Sequence, residues 1–149
     1  MKTILVVLLL HIPIMSFSQD LKKHQWKNRI LLIISQESCT DAAFPELMVK
    51  QHNMIKDSLQ GYADRKLVVY KIFPLKYKFM RPEVRKESKW LENSSLYKIY
   101  NPENKPFKIV LIGLDGGIKE ERDTWINSLE LFTIIDGMSM RKAEMRNKK

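Results

Sequence analysis

Three short runs of apolar, largely β-branched residues constrain the fold of this chain more than any other feature of its sequence. They lie at 29–35 (RILLIIS), 66–73 (KLVVYKIF) and 107–113 (FKIVLIG). Charged or turn-forming residues bound each run, and none of the three alternates strictly between apolar and polar positions. Continuous runs of this kind are typical of strands that are covered on both faces. The chain is therefore expected to form an α/β structure with helices on both sides of a sheet.

The segments that connect these runs predict how the strands are arranged. Over 42–60 apolar residues recur at spacings of three and four, with Asp41 as a candidate N-cap and Gly61 just past the end, which predicts a helix. A strand, a helix and a strand in this order form a right-handed crossover between parallel strands. Asp-Gly-Gly at 115–117 predicts a hairpin that returns along 118–121, because glycine reaches positive φ at little steric cost.

The remaining segments complete the predicted architecture. Residues 124–135 carry apolar side chains on one helical face after Asp123, which indicates a closing helix. Residues 75–105 are basic and polar, and we interpret them as an insertion that forms a loop and one short helix around 83–97. The tail from 141 to 149 is interpreted as a frayed, charged end. The order β-α-β…β-β-α predicts a mixed four-stranded sheet with flanking helices.

The amino terminus predicts export. Residues 1–18 contain one early positive charge, an apolar run interrupted by His11 and Pro13, and the small-x-small sequence Ser-Phe-Ser at their end. A membrane-spanning helix needs about 20 apolar residues, and this run is shorter. We therefore expect a cleavable signal peptide at 1–18, a single domain at 19–149 without a transmembrane segment, and a secreted or periplasmic location.

The charge balance restricts the class of partner. The chain has 26 Lys and Arg against 17 Asp and Glu, a formal net charge of +9. Such a balance is compatible with binding of nucleic acid or of an anionic polymer, or with solubility alone. Export argues against nucleic acid, and most basic residues are interleaved with acidic ones. The expected partner is an unidentified protein or an anionic surface polymer.

Four short motifs spread along the chain carry a resemblance to a known family. They are WKNR at 26–29, DR at 64–65, LIGLDGG at 111–117, and IDGMSMR at 135–141 followed by Glu144. Together they resemble the DUDES family of thioredoxin-like domains, which occurs in exported bacterial proteins and in vertebrate secreted proteins such as equarin and the sushi-repeat proteins. The resemblance implies a thioredoxin-like fold and a location outside the cytoplasm, but no established activity. Ser139 stands where that pattern has proline, which leaves the turn less rigid.

Cys39 and Pro106 occupy positions that carry chemistry in thioredoxin-like proteins. Cys39 follows the first strand, and Pro106 precedes the first strand of the hairpin, where such proteins hold a nucleophilic cysteine and a facing cis-proline. Cys39 is the only cysteine, and Ala42 stands where a Cys-x-x-Cys pair would have its second thiol, so no dithiol cycle runs within one chain. An inert thiol is the favoured interpretation of Cys39, and an ordinary strand-start proline stays open for Pro106.

The remaining candidate residues are two histidines and a set of charged residues. His24 and His52 lack the spacing of a metal motif, and we expect neither a metal nor a cofactor. Salt-bridge formation among Asp136, Arg141 and Glu144 is expected if the chain turns at Gly137. The functional alternative is that Arg29, Arg65 and Arg141 converge on an anionic ligand.

Two functions of different classes follow from these observations. The first is an exported, non-catalytic thioredoxin-like module that binds a protein or an anionic polymer through the basic insertion at 75–105 and the tail at 141–149. The second is a monothiol redox enzyme, a thiol-exchange partner or weak peroxidase, that uses Cys39. The missing second cysteine and the net charge favour the binding module.

Overall fold

The computed structural model describes residues 19–36, 45–92 and 95–148 of the chain. Its strands are β1 (Arg29–Ser35), β2 (Leu67–Ile72), β3 (Lys76–Arg81), β4 (Lys86–Glu87), β5 (Leu91–Glu92), β6 (Phe107–Ile112) and β7 (Ile118–Arg122). Its helices are α1 (Gln19–Lys22), α2 (Glu46–Asp57), α3 (Leu59–Asp64), α4 (Ser95–Tyr100), α5 (Ser128–Gly137) and α6 (Ser139–Asn147), and Pro82–Val84 form a 3₁₀ turn. The expected signal peptide, 1–18, and Cys39 lie outside the described residues.

The described strands form one mixed sheet in the order β4-β3-β2-β1-β6-β7, with β5 also paired to β3. The β1 and β2 strands are parallel, and Leu31 stands opposite Val69. On its other side β1 is antiparallel to β6, so that Leu31 also faces Leu111. The predicted parallel pair and the predicted hairpin, now β6 and β7, are both confirmed.

Helices cover the central strands on both faces. Successive side chains of a strand point to opposite sides of the sheet. Leu31 and Ile33 therefore pack with residues of α2, α3 and α5, whereas Ile30, Leu32 and Ile34 pack with residues of α1 and α4. All seven residues of β1 are buried. This double coverage explains why the run is apolar without alternation.

The basic insertion is part of the sheet, and its interpretation as a loop with a helix around 83–97 is wrong. Its first part forms β3, antiparallel to β2, and its helix is α4, which begins only at Ser95. Tyr77 and Leu96 from this segment belong to the buried core. The sequence of this segment is polar because β3 carries lysines, which are typical of strands near a sheet edge. Within the described ranges the sheet consequently has seven strands rather than four.

Three helix boundaries differ from those predicted. The helix predicted over 42–60 is divided at Ser58 into α2 and α3, and Asp41, its expected N-cap, lies outside the described residues. The last predicted helix, α5, begins at Ser128 rather than Thr124. Its N-cap is Asn127 rather than Asp123, because the Asn127 side chain accepts a hydrogen bond from the Glu130 N–H at 2.8 Å. The tail is not frayed, since it forms α6 and buries Arg141.

Gly61 lies inside α3 rather than beyond a helix end. A Cβ atom at this position would lie 2.5 Å from Cε2 of Phe132. The Phe132 ring also packs edge-on against Tyr62, with 5.2 Å between centroids, so it is held from a second side. The glycine is therefore required by close helix packing and not by chain termination.

We expect Gly61→Ala to destabilise the protein. Alanine would favour a free helix by about 1 kcal/mol, but forcing Phe132 from its place costs about 1–3 kcal/mol. The expected net loss is about 1 kcal/mol in urea unfolding. In a Phe132→Leu background the same change should become stabilising, and a loss of equal size in both backgrounds would contradict the packing argument.

Candidate functional site

Arg29, Arg65 and Arg141 come together at one end of the parallel strand pair. Arg29 is the first residue of β1 and stands opposite Leu67, the first residue of β2. Arg65 lies two residues before β2, and Arg141 lies in the first turn of α6. The strand register thus brings two of the arginines together, and α6 adds the third. We call these three residues with Asp64, Asp136 and Glu144 the arginine cluster.

Arg141 makes the most bonds in the arginine cluster. Its Nη2 lies 2.5 Å from Asp64 Oδ2, its Nε 3.1 Å from Asp136 Oδ1 and its Nη1 3.3 Å from Glu144 Oε2. Nη1 also donates to the Asp64 carbonyl oxygen at 3.0 Å. Burial lowers the pKa of Arg141, but the hydrogen bonds to its carboxylates outweigh that effect and raise it. The predicted salt bridges among Asp136, Arg141 and Glu144 are present.

Arg65 is also committed to protein partners. Its Nη2 lies 2.5 Å from Asp136 Oδ2, and its Nη1 donates to the Gly61 carbonyl oxygen at 3.0 Å. Its guanidinium carbon lies 4.1 Å from the centroid of the Phe132 ring, a cation–π contact. Arg65 and Arg141 therefore form structural ion pairs, and direct binding of an anionic ligand by either of them stays a prediction.

Arg29 differs from the other two arginines because two of its buried guanidinium nitrogens are unpaired among the described residues, whereas Arg65 has one such nitrogen, Nε. Its side chain is 1% exposed, and its Nη1 donates to the Arg65 carbonyl oxygen at 3.0 Å and to Glu144 Oε2 at 3.3 Å. Its Nε and Nη2 are buried and have no hydrogen-bond partner in the described part of the chain. An unsatisfied buried donor of a charged group costs several kcal/mol or more of desolvation free energy.

A cavity of about 160 Å³ adjoins Arg29. Residues 113–115, Lys119 and residues 138–140 line it together with Arg29. Lys119 crosses the hairpin turn, where a Cβ atom on Gly113 would lie 2.5 Å from its Cε. The Lys119 ammonium is bonded to Asp115 Oδ2 at 2.6 Å, so the hairpin contributes a cation and a carboxylate together. We call this space the Arg29 cavity.

The amino terminus of α6 forms one wall of the Arg29 cavity. Met138 is its N-cap residue and supplies no side-chain cap, and the first turn contains no acidic residue. The first helical hydrogen bond to Met138 O comes from the Lys142 N–H at 3.0 Å. The N–H groups before it have no intrahelical acceptor, and the helix dipole places partial positive charge there. The cavity therefore combines a buried guanidinium with a helix end that favours anions.

Pro106 lies beside the end of β1, but it is not a cis-proline. The Gln36 N–H donates to the Pro106 carbonyl oxygen at 3.0 Å, so the last described residue before 37–44 is attached to Pro106. No peptide bond between described residues is cis. Of the two alternatives left open for Pro106, the structure has the ordinary strand-start proline with a trans bond. Asn101 bonds both the N–H and the carbonyl of the preceding residue, Lys105, at 2.9 Å.

The two histidines lie on opposite faces of the sheet. His24 Nε2 lies 2.8 Å from the Tyr70 hydroxyl in the face covered by α1 and α4, and burial lowers its pKa. His52 lies on α2, which covers the other face. These placements do not bring the two imidazoles together at one centre.

The sequence matches a family defined by its conserved domain. A family model for the domain of unknown function DUF4174 matches residues 20–144, which is more than half of the chain. The chain belongs to this family. The match includes every member of the arginine cluster. No curated protein sequence matches the chain significantly.

One solved structure places the DUF4174 domain in a fold class. The reduced 2-Cys peroxiredoxin of Plasmodium vivax superposes with a TM-score of 0.52 over 87% of this chain and 85% of its own, at 12% sequence identity. At this identity the likeness establishes the fold alone. The DUF4174 domain therefore has a thioredoxin-like fold, as the order of its strands and helices predicted.

Some residues of the DUF4174 site were not predicted from the sequence. Asp64 is the carboxylate closest to Arg141, and Lys119 with residues 138–140 encloses the Arg29 cavity. Asp64 was noted only as part of a motif before the second strand. Its position next to Arg65, at the start of a buried strand, was the available signal. The other five members of the cluster are named by the sequence analysis, although the prediction of a frayed tail does not fit the burial of Arg141.

Proposed function

We propose that this protein is an exported thioredoxin-like binding module that takes a small anionic group of its partner into the Arg29 cavity. The anionic group is a carboxylate, phosphate or sulfate, which share the oxygen acceptors that a guanidinium binds. The partner that presents it is a protein or an anionic surface polymer outside the cytoplasm.

The unpaired nitrogens of Arg29 carry this proposal. A buried guanidinium that lacks acceptors for Nε and Nη2 is stabilised by an anion that accepts from both nitrogens. The uncapped end of α6 supplies a further attraction for the same charge. Asp115 does not neutralise the cavity, because its carboxylate is bonded to Lys119 and to the Gly117 N–H.

The expected export supports a partner outside the cytoplasm. Residues 1–18 have the features of a signal peptide, and no helix of the described residues is long and apolar enough to cross a membrane. We further propose that the family to which the chain belongs is the one whose motifs it resembles, the DUDES family. The net charge of +9 favours an acidic partner.

The proposal is tested by placing a carboxylate in the cavity. Ser139 is the first residue of α6, is exposed and lines the Arg29 cavity. In Ser139→Asp a tethered carboxylate should occupy the site, whereas Ser139→Asn is its uncharged match. The melting temperatures of both variants are measured against sulfate, phosphate and acetate concentration. Anion binding to the folded state should raise the melting temperature of Ser139→Asn.

The difference between the two variants decides the outcome. Sulfate and phosphate stabilise proteins in general through exclusion from their surfaces, and this effect is common to both variants. We expect Ser139→Asp to start from a higher melting temperature and to lose the additional anion dependence. Parallel salt curves for the two variants would contradict an anion site at Arg29.

A monothiol redox function is the second candidate, and the bond from Gln36 to Pro106 favours it. This bond holds Gln36, the last described residue before the part of the sequence that contains Cys39, beside Pro106. In such a function the Cys39 thiolate attacks a disulfide of a second molecule, forms a mixed disulfide and releases one thiolate. Alkylation of Cys39 by iodoacetamide against pH tests it. An apparent pKa well below about 8.5 would support the redox function, and an ordinary value or a thiol that reacts only after unfolding would exclude it.

A further inference from the structure

A second charged cavity lies on the face of the sheet covered by α2, away from the arginine cluster. Its volume is about 230 Å³, and it is lined by Met48, Val49, His52, Lys71, Lys78 and Glu87. Lys71 is four residues further along β2 than Leu67, the partner of Arg29, which corresponds to about 13 Å of strand. We call it the Lys71 cavity.

Two lysines share one carboxylate in the Lys71 cavity. Lys71 stands opposite Lys78 on the neighbouring strand β3. Glu87 bridges them, with Oε1 2.7 Å from Lys71 Nζ and Oε2 2.6 Å from Lys78 Nζ. These hydrogen bonds outweigh the effect of burial, which by itself would raise the pKa of Glu87, and lower it to about 2. The group therefore contains two basic side chains for one carboxylate.

The excess positive charge is poorly solvated. The Lys71 side chain is 5% exposed, and that of Lys78 is 15% exposed. Burial lowers the pKa of Lys71 even though Glu87 acts to raise it, which shows that one shared carboxylate does not fully compensate this ammonium. An uncompensated buried charge is costly, and an incoming anion reduces that cost.

His52 supplies a second polar contact without adding charge. Burial, followed by the charge of Lys71, lowers its pKa to about 4, so the imidazole is neutral at pH 7. Its Nδ1 is buried and has no hydrogen-bond partner among the residues described. When Nδ1 carries the proton of the neutral ring, it is a donor for an oxygen in the cavity. Lys56 is the other nearby cation that acts on both His52 and Lys71, and it too favours an anion.

The remaining wall of the Lys71 cavity is apolar, so it favours a ligand with an apolar body. Met48 is 1% exposed, whereas Val49 is 41% exposed and marks the side that is open to solvent. Pockets that take drug-sized molecules have volumes of about 300–1,000 Å³, so this cavity suits a smaller molecule. Glu87 does not make it a cation site, because both of its oxygens already accept from lysines.

We propose that the Lys71 cavity binds a small organic monoanion, with its oxyanion against Lys71 and His52 and its apolar body against Met48 and Val49. This site is separate from the Arg29 cavity and does not depend on the function proposed above.

Sodium benzoate is the probe, and benzyl alcohol is its uncharged match. Binding is followed by the amide chemical shifts of the ¹⁵N-labelled protein. We expect benzoate to shift the amides of residues 48–52 and 71 and to bind about tenfold or more tightly than the alcohol, since hydrogen bonds to charged groups are the stronger ones. Equal affinities, or shifts confined to other regions, would overturn the proposal.

Variants of Val49 provide the decisive control, because this residue lies on the exposed side of α2 and a polar residue is tolerated there. Val49→Glu should place a competing carboxylate at the cavity and weaken benzoate binding about tenfold relative to Val49→Gln. Equal binding to both variants would contradict the proposal.

Lys71→Met should abolish binding if it folds, and the Val49 pair decides the question if it does not. Ser139→Asp should leave the benzoate-induced shifts of residues 48–52 and 71 unchanged, which separates this site from the Arg29 cavity.

Discussion

Arg141→Met should destabilise the protein by about 3 kcal/mol. Removing one partner from a buried ion pair costs about 3–5 kcal/mol, because the remaining charges lose their compensation. Asp64, Asp136 and Glu144 would all lose the guanidinium that they share. Asp64 and Asp136 retain some contact with water, at 40% and 31% exposure, which places the expectation at the lower end of the range.

The matched control for this substitution is Arg146→Met. Arg146 lies on the same helix, α6, and is exposed. Surface substitutions usually change stability by about 0.5 kcal/mol or less. The free energy of unfolding of both variants is measured by urea denaturation and linear extrapolation. If the two variants unfold at the same urea concentration, α6 is not held to the sheet by Arg141.

The arginine cluster also links the fold to the proposed site. Arg141 fixes the first turn of α6, and that turn forms the wall of the Arg29 cavity. Arg29 shares its carboxylate partner with Arg141, because Glu144 Oε2 lies 3.3 Å from Nη1 of each arginine. The carboxylates are therefore used mainly to hold the helix, and the buried guanidinium of Arg29 keeps two nitrogens for another acceptor.

The central strands were predictable because a single physical cause determines each of them. The residues of β1, β2 and β6 are buried on both faces, so the apolar pattern alone locates them. The turn after β6 was predictable for a similar reason, since Gly116 has φ of 83° and follows Asp115, whose side chain accepts from the Gly117 N–H at 3.0 Å. These are local signals that require no knowledge of distant residues.

Features that depend on distant partners were not predictable in the same way. The β3 strand carries Lys78, whose partner carboxylate, Glu87, comes from a later strand, so the pattern resembles a polar loop. Lys71 interrupts a buried apolar run, which was the one sequence signal for the Lys71 cavity. Its meaning depends on His52 from α2 and on Glu87, and the sequence does not show that these residues meet. Ion pairing of Arg141 with Asp136 and Glu144 was predictable because these residues are close in sequence, whereas its pairing with the distant Asp64 was not.

Gln51→Leu should be the second strongly destabilising substitution, and it tests such a distant contact. Gln51 is 0% exposed, and its amide accepts from the Ile126 N–H at 2.9 Å and donates to the Ile126 carbonyl at 3.0 Å. Leucine would leave both backbone groups unpaired, at about 1–3 kcal/mol each, or about 2–6 kcal/mol in total.

Asn53→Leu, on the exposed side of α2, is the control and should have little effect. Since this contact fixes the chain before α5, the Ile126 amide should also exchange its hydrogen faster in Gln51→Leu. Unchanged exchange and stability would mean that packing alone holds Ile126 in place.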